Sequence, residues 1–136
     1  MSYRTPASRE EPVRLALAAL AEADRLVLTT HINADGDGAG SEIALAAWLR
    51  EQGKQAWIIN PTPYPDSLRF LVPCSDLIVD SGSPKALKVV REAELAVILD
   101  TGEIPRIGSV HELFLNLPKV VIDHHPPGPN PISGIS

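Results

Sequence analysis

The chain has 136 residues, room for a single hydrophobic core, and its 44% apolar and 21% charged residues exclude a disordered chain. A net charge of −5, with no block of lysine or arginine, excludes the basic stripe that binding to long nucleic acid requires. No apolar run approaches the roughly 20 residues of a membrane span, "MSYRTPASREEP" has no apolar signal segment, and the single cysteine, Cys74, rules out an internal disulfide and fits a reducing cytoplasm.

In chain order, "EPVRLALAALAEADR" (11–25) places Leu15, Leu17, Ala18, Leu20 and Ala21 at helical spacing after Glu10 and Glu11, and predicts a helix. "LVLTT" (26–30) is apolar and β-branched, hence a strand. "GSEIALAAWLREQG" (40–53) predicts a helix with an apolar face of Ile43, Ala44, Ala47 and Trp48 and a stop at Gly53. "QAWIIN" (55–60) is a second strand. The proline-dense "PTPYP" is a loop leading to a short helix at "DSLRFLV".

"DLIV" (76–79) reads as a short strand flanked by the turn acids Asp76 and Asp80, and "SPKALKVVREA" (83–93) as a helix with Pro84 in its first turn. "LAVILD" (95–100) is the most apolar strand, "SVHELFLNL" (109–117) a helix with His111 on its surface, and "KVVID" (119–123) the last strand. Residues 1–11 read as an N-terminal tail, 12–125 as the folded domain, and 126–136 as a proline-rich tail. Strands alternating with helices predict an α/β fold, a Rossmann-like, mostly parallel sheet covered by helices on both faces. Ligands bind beyond the carboxyl ends of such strands.

Those ends carry the chemistry. "THINADGD" offers His31, Asp35 and Asp37, "LDTGE" offers Asp100, and "IDHH" offers Asp123, His124 and His125. Parallel strands bring all three to one sheet edge. Carboxylates that close need raised pKa values or cations, and Arg106 is the only base nearby. Mixed imidazole and carboxylate ligands suit divalent transition metals, with oxygen-rich sites leaning to Mn²⁺. The ligands outnumber one ion's needs, which points to two metals about 3.5–4 Å apart, the arrangement used to hydrolyse phosphate esters. Taken singly, "ADGDGAG" is equally a turn, a weak match to a dinucleotide-binding loop, and "LDTG" equally an aspartate capping a helix. Cys74 reads as a plain small side chain.

The chain resembles the DHH phosphoesterases, whose name is their motif, present here as Asp123-His124-His125. "HINADGDGAGS" is similar to the family's first motif and "VILDTGE" to its second, and the likeness extends over about residues 12–126. The leading histidine and "LDTGEIPRIG" resemble the oligoribonuclease and pAp-phosphatase branch. The resemblance implies that His31, Asp35 and Asp100 hold one Mn²⁺ and that Asp37, Asp100 and His124 hold a second, with Mg²⁺ or Co²⁺ as alternatives. It implies further that His125 contacts the substrate phosphate and that Asp123 orients the imidazoles. Ala34 stands at the usual proline and Gly38 at the commoner alanine, which loosens the loop without removing a ligand.

The implied substrates are a small nucleotide, a linear dinucleotide, 3′-phosphoadenosine 5′-phosphate or short single-stranded RNA, with no long duplex and no membrane. The family's fourth aspartate and C-terminal substrate-binding domain find no match, so the chain reads as a fragment, weak or inactive alone, with a homodimer left open. The rival readings are a non-catalytic metal- or nucleotide-binding module and a family II-like inorganic pyrophosphatase.

Overall fold

Short apolar strands that alternate with helices bury both faces only when the helices divide between them. In the computed structural model, which describes residues 4–136, the order is α1 (Ala7–Glu22), β1 (Arg25–Thr29), α2 (Gly36–Glu51), β2 (Gln55–Ile58), α3 (Pro84–Glu92), β3 (Leu95–Leu99), α4 (Val110–Leu113) and β4 (Lys119–Ile122). Turns of 3-10 helix lie at Asp66–Leu71, Ser75–Leu77 and Ile104–Ile107. The expected α/β fold is present: the four strands form one sheet in the order β2-β1-β3-β4, and every pairing is parallel, with Val27 opposite Trp57 and Ala96, and Ile98 opposite Val121.

Alternation along the strands sorts the core into two layers. Leu26, Leu28, Ala56, Ile58, Val97 and Val120 pack with Leu20 of α1 and Ala39, Ile43, Ala46 and Leu49 of α2. Val27, Ala96, Ile98 and Val121 pack on the other face with Ala86 and Val89 of α3 and with Ile107, Val110 and Phe114. From β1 the chain moves outward to β2, and from β3 it moves the other way to β4. The reversal falls between β1 and β3, and the crevice at such a reversal is where open α/β sheets bind ligands.

Several elements depart from the sequence expectation. Helix α1 begins at Ala7, inside the segment read as a tail, and Pro12 sits within its first turns. Its core-facing stripe is Ala16, Ala19 and Leu20, followed by Ala23 just past its end, while Leu15 and Leu17 face solvent. Helix α2 begins at Gly36 and buries Gly38, Ala39, Glu42, Ile43, Ala46 and Leu49, leaving the expected face residue Trp48 exposed. "DLIV" is no strand but a 3-10 turn followed by one bridge, Ile58 to Ile78. Helix α4 is a single turn, shorter than 109–117. The segment 126–136 is packed rather than free: Ile132 is buried, and Ile135 bridges to Val120 in parallel register.

Candidate metal centre

The site begins where β1 leaves the sheet. Thr30 Oγ1 donates to the Leu99 carbonyl at 2.8 Å, tying the end of β1 to the end of β3. That bond places His31 beside Asp100. Asn60 Oδ1 accepts from the Thr30 amide at 3.2 Å and from Thr29 Oγ1 at 3.3 Å. The loop that follows is held by its own backbone, with the Ile32 amide donating to the Arg106 carbonyl at 2.7 Å and the Asn33 amide to Thr62 Oγ1 at 2.8 Å. Asn33 takes a left-handed conformation, φ 55°, which asparagine tolerates better than most residues.

Asp35 caps α2: its Oδ1 accepts from the amides of Asp37 at 3.1 Å and Gly38 at 3.0 Å. The Gly38 hydrogen bond holds the Asp35 carboxyl below its usual pKa against the opposing effect of burial, with His31 adding to the lowering. The "DGDG" run that resembles a turn is thus a cap plus the first turn of a helix, and it carries Asp37 out over the sheet edge. Gly38 is a close-packing requirement rather than a loosening, because a Cβ there would lie 2.4 Å from Thr30 Oγ1.

Asp100 follows β3 with its amide donating to the Ile122 carbonyl at 2.9 Å. Its φ is 61°, a conformation that costs a non-glycine residue on the order of 1 kcal/mol and that clusters at functional sites. The side chain is buried and central. Its Oδ2 lies 3.4 Å from His31 Nε2 and its Oδ1 3.0 Å from His124 Nε2. His31 Nε2 is also 3.7 Å from Asp35 Oδ1, and His124 Nε2 is 3.4 Å from Asp37 Oδ2. His31 Nδ1 donates to the Ile32 carbonyl at 2.9 Å, so the lone pair of Nε2 is free to face the cluster.

The third strand end completes the cluster. His125 Nδ1 donates to Asp123 Oδ1 at 2.6 Å, and its amide donates to the same oxygen at 3.2 Å. Burial works against the ionised Asp123, but these bonds outweigh it and hold its pKa below the usual value. The same contact raises the pKa of His125. All seven residues expected from the sequence therefore meet at one edge. Two groups have ligand atoms mutually within 4.8 Å, His31 with Asp35 and Asp100, and Asp100 with Asp123, His124 and His125. His31 and Asp100 are buried, whereas Asp35, Asp37, His124 and His125 open to solvent. A cavity of about 380 Å³ lined by Thr101, Arg106, Asp123 and His125 adjoins the cluster. The larger cavity, about 630 Å³, lies beside Glu94, Leu95 and Lys119 at the opposite ends of the strands, far from this chemistry.

The N-terminal domain of the DHH family matches residues 25–134. The chain belongs to the DHH family. That agrees with the resemblance carried by its three motifs, and the match reaches into the segment read as a tail. Among relatives of the DHH chain, a bifunctional oligoribonuclease and PAP phosphatase of Thermus thermophilus is 29% identical over 99 residues, covering 63% of this chain and 31% of that protein. The crystal structure of an exopolyphosphatase-related protein from Bacteroides fragilis superposes with a TM-score of 0.76 at 28% identity, covering 85% of this chain and 35% of that one. The DHH chain thus spans about a third of the length of these relatives.

Residues outside the motifs also build the site. Asn60, Thr62, Thr30 and the Arg106 carbonyl fix the loop, and Glu42 lies buried behind it. The signal in the sequence was weak, since Glu42 immediately precedes the apolar run "IALAAWL" and Asn60 immediately follows "AWII". His111 differs from the expected surface residue: its Nδ1 is buried with no partner among the described residues. Cys74 is exposed, and the hydrogen bond with Asp76 raises its pKa, which suits the plain role expected of it.

Proposed function

We propose that this chain supplies the metal-bearing part of a phosphoesterase that hydrolyses short oligoribonucleotides, linear dinucleotides or 3′-phosphoadenosine 5′-phosphate, working in the cytoplasm with two divalent ions, Mn²⁺ foremost. One observation carries the reading. Asp100 turns one carboxylate oxygen to His31 and the other to His124, so two ligand sets share one bridging group. The donor set fits such ions: the free Nε2 lone pair of His31, the Nε2 of His124 and carboxylates converge where no lysine or arginine forms an ion pair with them among the described residues. The relative from Thermus thermophilus supports the substrate class by its name.

His31, Asp35 and Asp100 would hold one ion, and Asp37, Asp100 and His124 the other. When bound, the pair lowers the pKa of water and offsets the charge of the phosphate. The chain's own residues do the rest. Asp123 fixes the ring of His125 through Nδ1, leaving Nε2 to meet a phosphate oxygen, and its charge favours the protonated imidazole, which donates a charge-assisted hydrogen bond. The buried side of the cluster excludes water from His31 and Asp100, while the open side admits a substrate.

Equilibrium dialysis against Mn²⁺ with elemental analysis tests the assignment. Bound Mn²⁺ is expected for the native sequence and none for Asp100→Ala, since both proposed ligand sets include Asp100. If Asp100→Ala retained one tightly held ion, the shared-carboxylate assignment would be wrong.

A further inference from the structure

We infer that Glu42 is a positioning residue for the metal loop: through Asn60 it fixes the point at which β1 leaves the sheet, and with it the presentation of His31. The inference rests on the metal-centre reading only for its consequence in cation binding, not for the geometry itself.

Glu42 lies on the core side of α2, fully buried among Ala39, Ile43 and Ala46. A buried carboxyl is unfavourable compared with leucine or methionine of similar size. Packing therefore does not explain it, and its hydrogen bond is where an explanation lies. Glu42 Oε2 accepts from Asn60 Nδ2 at 2.9 Å. That contact orients the Asn60 amide so that Oδ1, not Nδ2, faces the Thr30 amide at 3.2 Å and Thr29 Oγ1 at 3.3 Å. Turned the other way, the amide would present a donor to the Thr30 N–H. Thr30 stands immediately before His31, past the last residue of β1, where regular sheet pairing no longer holds the backbone. Asn60 takes over that role, and Glu42 decides which end of Asn60 does so. Burial pushes the Glu42 carboxyl up to about 8, so near neutral pH it is the acid form that holds Asn60. Its second oxygen, Oε1, has no partner among the described residues, so the contact to Asn60 is the one polar duty visible for this side chain.

Two variants separate positioning from packing. Glu42→Gln keeps an acceptor for Asn60, whereas Glu42→Leu keeps the bulk and removes it, with Glu42→Met as the alternative should leucine pack badly. Amide hydrogen exchange is measured without metal. Thr30 protection should fall about tenfold in Glu42→Leu or Glu42→Met, the size of one lost hydrogen bond. It should be retained in Glu42→Gln, each value being read relative to the β3 amides of the same variant, which report any change in global stability. Mn²⁺ affinity, measured on the same proteins, should follow the Thr30 amide. Equal Thr30 protection in all variants overturns the inference. So does failure of both apolar variants to fold while Glu42→Gln folds, because the residue would then serve the fold itself. A lost Thr30 bond in protein that binds no Mn²⁺ in any form would uphold the positioning and sink the metal reading instead.

Discussion

At the scale of single residues, the site is made by contacts that leave no slack. Asp100 is held in a left-handed conformation so that both oxygens face histidines, and strain of that kind persists only where neighbours over-determine it. Here the neighbours are the backbone bond to Ile122 and the Thr30 bond to Leu99. Gly38 belongs to the same arrangement. Its missing side chain lets α2 start against Thr30, whose Oγ1 would be 2.4 Å from an added Cβ and whose methyl carbon would be 3.1 Å away. Rotating Thr30 exchanges one clash for another and gives up the bond to Leu99. Gly38→Ala should therefore destabilise the protein by about 1–3 kcal/mol, the usual cost of overpacking. In the double variant with Thr30→Ala the loss should be less than the sum of the two. Thermal unfolding of the four proteins measures the coupling, and additive losses would mean the two residues do not meet as described.

At the scale of elements, α2 joins the site to the core. Its first turn carries Asp37, its cap is Asp35, and its buried face carries Glu42. Burial raises the Glu42 carboxyl from its ordinary 4.5 to about 8. The folded chain thus keeps a proton that the unfolded chain releases between those values. The stability contributed by the neutral acid is complete below pH 4.5 and is lost as pH rises through about 8. Glu42→Gln does not titrate and should be the more stable protein at pH 7, by on the order of 3 kcal/mol, with the difference vanishing near pH 4. Chemical denaturation across that range checks the prediction, and parallel stability curves for the two proteins would refute it. The same helix shows how far the sequence could be read. Apolar runs of strand length located β1, β3 and β4, and because parallel strands share an edge they also placed all seven candidate residues together. The start of α2 was hidden because Gly36, Asp37 and Gly38 are turn formers locally, and only the Asp35 cap and contact with Thr30 make them helical. "DLIV" had local strand character, but a strand needs a partner along its length and this one finds a single bridge at Ile78. Glu42 and Asn60 were in plain view, yet their pairing across 18 positions is a tertiary fact.

At the scale of the whole molecule, the strand order sets both the site and the exposure of the sheet. The reversal between β1 and β3 opens the crevice that the cluster fills, and it leaves β2 and β4 as edges. Unpaired edges invite pairing with another chain. Each edge here is closed by a short bridge. On β2, the Val79 amide donates to the Ile58 carbonyl at 2.9 Å. On β4, the Val121 amide donates to the Ile135 carbonyl at 2.7 Å and the Ile135 amide to the Lys119 carbonyl at 3.0 Å. Ile132 anchors that second cover in the layer of α3 and α4. Among the described residues the proline-rich segment thus lies along the β4 edge, and its prolines limit the number of amides it exposes there. Removing residues 131–136 should do two things at once. Loss of the buried Ile132 should destabilise the chain by about 1.5–3 kcal/mol. The freed N–H and C=O groups of Lys119 and Val121 should shift the protein towards larger species in light scattering after size-exclusion chromatography. Ile135→Pro separates the two effects, because it removes one edge hydrogen bond and leaves Ile132 in place. It should promote association with a smaller loss of stability. If the shortened chain ran at the same size as the full one and lost only stability, the segment would be a core anchor and not a guard for the edge.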